Sequence, residues 1–420
     1  MTRVVKPIKN NIGGIIKPPI DKSIAHRALI LGSIAKGKST IKNFSTGHDV
    51  VSTFRCLLRL GVEFKVGEDD ADLTILGKGL YGLKEPIEEL DCRNSGTTMR
   101  LLAGILAAQR FDSVLTGDFS LKKRPMERVI TPLTQMGAKI MAKGGKAPLL
   151  ITGRRLKRTS YHVPVQSAQV KSCLQLARLY AIGDASDCLT GAEHTRNHTE
   201  VMIEAMTENG VLTGRDFMIP GDISSGMFFI VLGILHSESS ISVAPVGLNR
   251  TRIKALEILH SAGAKIIIDD LFDTNGEPVG GVIAFKSSLK AFNIDADQAA
   301  MVIDEIPILA VAAAFAEGQS VFSGLEELRH KESDRIHTIV SELSKLGIDI
   351  TDDDDTLIIN GNGGERLEIK PGIKLNSHND HRIAMACAVA ATQATKEVFI
   401  ENADCVEVSY PDFFKDLENV

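Results

Sequence analysis

Polar and apolar positions follow two rhythms along this chain. In the first, a polar start leads into a helical length of small and branched apolar residues, then a β-rich stretch. It recurs at Lys22–Ile41, Ser95–Thr116, Ser167–Thr190, Ser224–Val243, Asp304–Phe322 and Asn379–Ile400. The fifth copy, D-E-I-P-I-L-A-V-A-A-A-F-A-E-G-Q-S-V-F, is apolar almost all round, which predicts a helix buried on every side. The second rhythm is amphipathic, with apolar residues at helical spacing and mostly a Gly before the next strand. Its copies end at Gly61, Gly137, Gly210, Gly263 and Gly347, and a shorter P-D-F-F-K-D-L lies near the C-terminus. Gly supplies the left-handed stop of such helices.

The two rhythms alternate at roughly 70-residue intervals with strands between them, as in an internal repeat. They read as six βαβαββ-like units, with buried helices packed inside a ring of sheets. The plainer alternative is a generic α/β protein in which helix, Gly and strand simply recur. A chain of 420 residues exceeds one ordinary core, so two domains are expected. Trp is absent and aromatics are 5%, so the cores must rest on Ile, Leu, Val and Ala.

A formal charge of −5 gives no overall attraction to nucleic acid or an anionic membrane. Apolar runs such as Ile306–Ala316 are too short to span a bilayer, and Met1–Lys9 holds no apolar signal core. Cys56, Cys92, Cys173, Cys188, Cys387 and Cys405 are scattered without a C-x-x-C pair, so neither zinc nor a disulfide framework is signalled. A soluble protein in the reducing cytoplasm is expected.

The unusual polar residues collect at the starts of the buried helices. They are D-K-S-I-A-H-R (Asp21 to Arg27), R-N-S-G-T-T-M-R (Arg93 to Arg100), S-A-Q-V-K-S (Ser167 to Ser172), G-D-I-S-S-G (Gly221 to Gly226), Asp304–Glu305 and N-D-H-R (Asn379 to Arg382). Helix starts expose N–H groups and a positive dipole end, and Lys22, Arg27, Arg100 and Arg382 would add full charges. N-capping explains any one of these motifs alone, but the repetition with cations points to anionic ligands. L-K-K-R-P-M (Leu121 to Met126) and R-H-K-E-S-D-R (Arg329 to Arg335) precede outer helices, and a helical turn would align Lys331 with Arg335. N-G-N-G-G at Asn360 to Gly364 reads as a turn. Asp352 to Asp355 reads as a solvated hairpin turn, since it lacks the Gly and terminal Glu of a calcium loop.

With D-K-S-I-A-H-R, N-S-G-T-T-M-R, K-R-P-M, S-A-Q-V-K-S, T-R-N-H-T-E, I-D-E-I-P, K-E-S-D-R and D-H-R-I-A-M in this order, the chain resembles the 5-enolpyruvylshikimate-3-phosphate synthase family over its whole length. S-A-Q and the fifth buried segment resemble its class II subgroup. The resemblance implies a two-domain inside-out α/β barrel of the enolpyruvyl transferase type, with six βαβαββ repeats, three per domain. Residues 1–19 with 227–420 would form one discontinuous domain and 20–226 the other, with the chain crossing twice. The active site would lie in the cleft between them, and open and closed forms are implied. The implied reaction moves the enolpyruvyl group of phosphoenolpyruvate to the 5-hydroxyl of shikimate 3-phosphate, in chorismate and aromatic amino-acid biosynthesis. It needs no cofactor or metal. A monomer that binds neither nucleic acid nor membrane, and is inhibited by glyphosate, is implied.

Carried over residue by residue, the resemblance assigns shikimate 3-phosphate to Lys22, Ser23, Arg27, Ser167, Ala168, Gln169, Arg196, Asp304 and Lys331. Phosphoenolpyruvate falls to Lys22, Gly96, Arg124, Gln169, Arg335 and Arg382. Asp304 and Lys22 are candidates for moving the hydroxyl proton, and Glu332 for the methylene proton. The chain departs from the family pattern in Ile20–Asp21 for a Gly-Asp or Gly-Ser, Arg93 for a Gly, and Val408 for a Lys. The related UDP-N-acetylglucosamine enolpyruvyl transferases rely on a loop Cys and a K-N-A-type first motif. Here the loop near Arg124 has no Cys, and Cys92 reads as a packing residue. A nucleotide- or nucleic-acid-binding module is the rival from another class, but no phosphate loop is present.

Overall fold

Both rhythms become helices in the computed structural model, which describes residues 1–9, 11–44, 47–67, 72–164, 166–183, 189–236, 238 and 240–420. Cys188 lies outside the described residues. The first half of the chain carries α1 (Lys22–Ile34), α2 (His48–Arg59), α3 (Gly96–Leu106), α4 (Glu127–Gln135), α5 (Ala168–Arg178) and α6 (His198–Met206). The second half carries α7 (Ile223–Leu235), α8 (Lys254–Ser261), α9 (Ala296–Met301), α10 (Ile306–Ala314), α11 (Arg335–Ser344), α12 (His381–Thr392) and α13 (Phe413–Asn419).

The helices of the first rhythm are the buried ones. Every residue of α7, α10 and α12 is buried, and these three pack against one another. Likewise α3 packs against α1 and α5. Each fully buried Phe, Leu or Ile in them stabilises the fold by about 1.5–3 kcal/mol, so a charge at Phe228 or Leu309 would be expected to break it. Pro307 sits in the first turn of α10, where its missing N–H costs nothing.

The outer helices bury one face only, as α11 does with Ile336, Ile339 and Leu343. Gly61, Gly137, Gly263 and Gly347 follow them at φ +82, +98, +101 and +83, the expected left-handed stops. Gly210 does not. Helix α6 ends at Met206, and Thr207–Glu208 pairs with Val211–Leu212 as a hairpin. Asn209 and Gly210, at φ +49 and +77, form its turn, because Asn-Gly suits the two left-handed positions of a tight hairpin.

Parallel pairs joined through helices, each extended by antiparallel strands, build the sheets. Asp216–Met218 runs parallel to Lys36–Lys42, which pairs antiparallel with Leu73–Lys78, and that with Glu63–Val66. Leu90–Asp91, Asp112–Thr116, Leu149–Thr152 and Lys139–Met141 repeat this order. Gly13–Ile16 is parallel to Ser240–Gly247, which pairs antiparallel with Glu277–Phe285. Asp349–Asp353 and Thr356–Asn362 form a hairpin whose turn holds Asp354 and Asp355, while Asp352 and Asp353, also expected in the turn, are paired at the end of the first strand. Asn360–Asn362, expected in a turn, instead ends the second strand, and only Gly363 and Gly364 turn.

The chain divides into two compact units. One comprises Met1–Pro19, Pro220–Phe272 and Pro278–Val420, and the other Ile20–Ile219 with Asp273–Glu277. A boundary at 226/227 would cut α7, which is one continuous buried helix, so the crossing lies at 219/220 instead. Residues 273–277 add a short excursion, so the chain passes between units four times rather than twice.

Candidate active site

Five of the six buried helices begin with a side-chain cap. Asp21, Ser95, Ser167, Asp222 and Asp380 accept first-turn N–H groups at 2.7, 3.2, 3.5, 3.0 and 2.9 Å, respectively. Part of the free donor capacity at these five helix starts is therefore already used. Positive potential for a ligand rests chiefly on the side-chain cations around them.

In the unit containing α1 to α6, Arg27 is 3% exposed. Its Nε donates to Thr199 Oγ1 at 2.7 Å, its Nη2 to Ser172 Oγ at 2.6 Å and its Nη1 to Ser23 O at 2.8 Å. Burial lowers its pKa to about 10, with Asp21, Glu200 and Glu277 opposing and Arg196 assisting, so it stays charged at neutral pH. Lys22, the first residue of α1, lies 3.6 Å from Asp49 Oδ2. Arg196 is half-buried in the segment before α6.

A second cluster in this unit gathers around α3 and α5. Gly96 opens α3, Ser167 caps α5, and Ala168 and Gln169 begin it. Gln169 Nε2 donates to Thr97 Oγ1 at 3.0 Å, while its Oε1 accepts from Arg100 Nη1. Arg100 Nη2 also donates to Pro125 O at 3.3 Å, tying Gln169 to the K-R-P loop. Within that loop Arg124 is extended at φ −70 and ψ 142, as the residue before proline should be. Its Nη2 donates to Asn94 Oδ1 at 2.8 Å. A Cβ on Gly96 would stand 3.2 Å from Arg100 Nη1 and 3.5 Å from Arg124 Nη1.

The other unit holds the remaining residues. Arg335 opens α11 with 1% of its side chain exposed. It donates to Asp380 through Nε at 2.8 Å and to Glu332 through Nη2 at 2.7 Å. Asp304 sits 3.7 Å from both Arg335 Nη1 and Arg382 Nη2, and its carbonyl accepts from Arg382 Nη1 at 3.1 Å. Lys331 is exposed and in extended conformation, and α11 begins only at Arg335. The expected shared helix face for Lys331 and Arg335 is therefore not formed, because Asp334, between them, caps α11 and leaves Lys331 outside the helix.

Two carboxylates here are held below their ordinary range. Burial pushes the Glu332 carboxyl up, but the Arg335 charge, together with His381 and a backbone N–H, brings it down. At Asp380 the same balance holds: burial acts upward, and Arg335 with the helix-start N–H acts downward. The first-motif reading missed Asn94, Ser172, Thr199 and Asp380 as the partners of Arg124, Arg27 and Arg335. Asn94, Ser172 and Asp380 lay inside quoted motifs, and Thr199 inside T-R-N-H-T-E, but pairing across helices has no local signature.

Departures from the family pattern have visible consequences. Arg93 stands at φ +49, with its N–H on Asp91 Oδ1 at 2.8 Å and its carbonyl accepting from Asp118 N at 2.8 Å. The turn suited to Gly is thus kept with Arg in it. Asp21 replaces the usual start by capping α1, and Val408 is 52% exposed. Cys92 is buried, and a hydrogen bond with Cys56 and then burial push its thiol well up, the opposite of a reactive cysteine. Among the described residues no group of three or more His, Cys, Asp or Glu could hold a metal ion, and no helix is long and apolar enough to cross a membrane.

Comparison with known proteins covers the whole chain. The family model described as EPSP synthase (3-phosphoshikimate 1-carboxyvinyltransferase) matches residues 6–417. A 3-phosphoshikimate 1-carboxyvinyltransferase of Thermoanaerobacter sp. (strain X514) is 43% identical over 424 residues, covering 98% of each chain. One of Syntrophomonas wolfei subsp. wolfei is 44% identical over 430 residues, covering 99% of this chain and 97% of its own. The solved EPSP synthase of Acinetobacter baumannii superposes with a TM-score of 0.89 at 38% identity, covering 100% of this chain and 98% of that one. With buried arginines braced by carboxylates and hydroxyls and with relatives matching from end to end, the chain belongs to the EPSP synthase family.

Proposed function

We propose that this chain transfers the enolpyruvyl group of phosphoenolpyruvate to the 5-hydroxyl of shikimate 3-phosphate, releasing phosphate and 5-enolpyruvylshikimate 3-phosphate. Family membership along the full length carries this reading. The side-chain geometry supports it, because both substrates are polyanions and the braced cations suit them. Arg presents a planar fork to phosphate and carboxylate, and burial strengthens each charged bond. The inside-out barrel with three βαβαββ units per domain is part of the same proposal. So are a cytoplasmic, monomeric state and a reaction without cofactor or metal.

In this assignment Lys22, Ser23, Arg27, Ser167, Ala168, Gln169 and Arg196 bind shikimate 3-phosphate, with Asp304 and Lys331 on its ring hydroxyls. Lys22, Gly96, Arg124, Gln169, Arg335 and Arg382 bind phosphoenolpyruvate. The 5-hydroxyl loses its proton to Asp304 or Lys22 and attacks C2 while C3 gains a proton. The resulting tetrahedral intermediate expels phosphate as C3 loses a proton.

Glu332 is the candidate for the C3 proton. Held at 2.7 Å by Arg335 and below the ordinary carboxylate range, it is ionised at neutral pH and suited to accept the proton in the elimination. For the addition it must first be protonated. A substrate carboxylate taking over Arg335 would free Glu332 and raise its pKa.

The closest rival substrate is UDP-N-acetylglucosamine, and the inert setting of Cys92 argues against that chemistry. A phosphate-release assay with phosphoenolpyruvate decides between them. Turnover with shikimate 3-phosphate and none with UDP-N-acetylglucosamine is expected, and the reverse would overturn the proposal.

A further inference from the structure

The excursion Asp273–Glu277 belongs to the unit of α1–α6, although its flanks belong to the other. Two bonds and one close approach fix it there. Asn275 Nδ2 donates to Asp216 O at 2.5 Å, and Glu277 Oε1 lies 2.7 Å from His198 Nδ1. A Cβ on Gly276 would stand 2.8 Å from Val201 Cγ1, so only glycine fits against α6 at its φ of +81. The side chains of His198 and Glu277 are 1% and 2% exposed. A carboxylate this deeply buried is costly unless its partner is fixed.

His198 is the first residue of α6 and Thr199 the second. Asn197 provides no side-chain cap to the helix. The start of α6 is therefore held by other elements: Glu277 grips His198, and Thr199 accepts from Arg27 at 2.7 Å and bonds Ser172 at 2.8 Å. Lys171 Nζ donates to Thr195 O, just before α6, at 3.1 Å and pairs with Glu200, in its first turn, at 2.9 Å. Arg196 lies between these two anchor points. Its backbone path is set on one side by Lys171 and on the other by the Glu277–His198 pair.

We infer that Glu277 is a positioning residue for the shikimate 3-phosphate subsite, acting through His198 on the segment that carries Arg196 and Thr199. This rests on the assignment of Arg27 and Arg196 to that substrate. With its side chain 2% exposed, Glu277 is closed off from a ligand arriving from solvent. Its effect is selective, because the cations assigned to phosphoenolpyruvate alone, Arg124, Arg335 and Arg382, hang on other partners: Asn94, Asp380 and the Asp304 carbonyl.

The test compares Glu277→Ala, Glu277→Gln, His198→Ala and Arg196→Ala in the full chain. KM values for both substrates are measured by phosphate release, and shikimate 3-phosphate affinity by calorimetry without phosphoenolpyruvate. Glu277→Ala is expected to weaken shikimate 3-phosphate binding about tenfold or more, as for loss of a charged hydrogen bond, and to shift the phosphoenolpyruvate KM less than about twofold. Glu277→Gln should recover most of the loss, since its amide oxygen still accepts from His198. If Glu277→Ala does not fold, His198→Ala should show the same selective defect. Equal losses for both substrates, or unchanged binding in a folded variant, would overturn the inference. If Arg196→Ala weakens binding while the Glu277 and His198 variants do not, only this inference fails. If Arg196→Ala is also silent, the subsite assignment fails with it.

Discussion

Arg335 donates through Nε to Asp380 Oδ2 at 2.8 Å, with 1% and 0% of the two side chains exposed. The same carboxylate caps α12 through Arg382 N at 2.9 Å. One acid therefore holds the guanidinium of Arg335 and the backbone of Arg382, two residues assigned to phosphoenolpyruvate. Asp380→Asn should leave the Arg335 charge poorly matched and cost on the order of 3 kcal/mol, divided between fold stability and binding. Urea unfolding and steady-state kinetics should show lower stability and a raised phosphoenolpyruvate KM, with the shikimate 3-phosphate KM much less affected. No change in either would mean that Glu332 and Asp304 suffice to hold Arg335.

Glu332→Gln removes the group assigned to the C3 proton but keeps an acceptor for Arg335. The turnover number should fall by roughly 10²–10⁴-fold, the usual scale of a lost general acid–base. Binding of both substrates, followed by calorimetry, should stay close to wild type. A variant with near-normal turnover would move that proton to another group.

Gly96→Ala places a methyl group beside the two guanidinium groups near the start of α3, 3.2 Å from Arg100 Nη1 and 3.5 Å from Arg124 Nη1. Glyphosate, longer than phosphoenolpyruvate, should compete with it in the wild type and lose much of its effect in this variant. The phosphoenolpyruvate KM should rise only modestly, because both arginine ends are flexible. Inhibition constants for the two proteins provide the check, and equal values would remove Gly96 from control of access.

Arg93→Gly relieves a left-handed backbone at φ +49. Strain of about 1 kcal/mol is removed, and the greater freedom of glycine in the unfolded chain offsets part of it. The midpoint of thermal unfolding should rise slightly with kinetics unchanged. A lower midpoint would show that the Arg93 side chain contributes more than its backbone costs.

His236 bonds Thr392 Oγ1 at 2.9 Å, and burial, then Arg366 and Lys286, lower its pKa to about 4. The unfolded chain binds its proton near pH 6.5, the ordinary histidine value, and the folded chain only near pH 4. The resulting stability is therefore complete above about pH 6.5 and is lost as pH falls toward 4, on the order of 3 kcal/mol in all. Denaturant unfolding from pH 7 to 4 should show this slope, and His236→Gln should flatten it. An equally steep profile in the variant would assign the acid sensitivity to other groups, among them buried His26, also lowered to about 4, mainly by burial.

Periodicity alone determined the six buried helices, most of the outer ones and their glycine stops, because hydrophobic spacing and left-handed caps are local signals. The same signals misplaced Gly210, where Asn209 and Gly210 also suit a hairpin, and the boundary at 226/227 that the family resemblance implied is one that the continuous burial of α7 forbids. The cationic motifs were legible as residue types, but not their bracing. Asp380 to Arg335 spans 45 residues, Arg27 to Ser172 spans 145, and Glu277 to His198 spans 79. Such pairs are made by packing distant segments into the low-dielectric interior of each unit, where a charge must find its partner. That requirement acts on the folded chain as a whole, so tertiary structure alone decides which acid serves which cation.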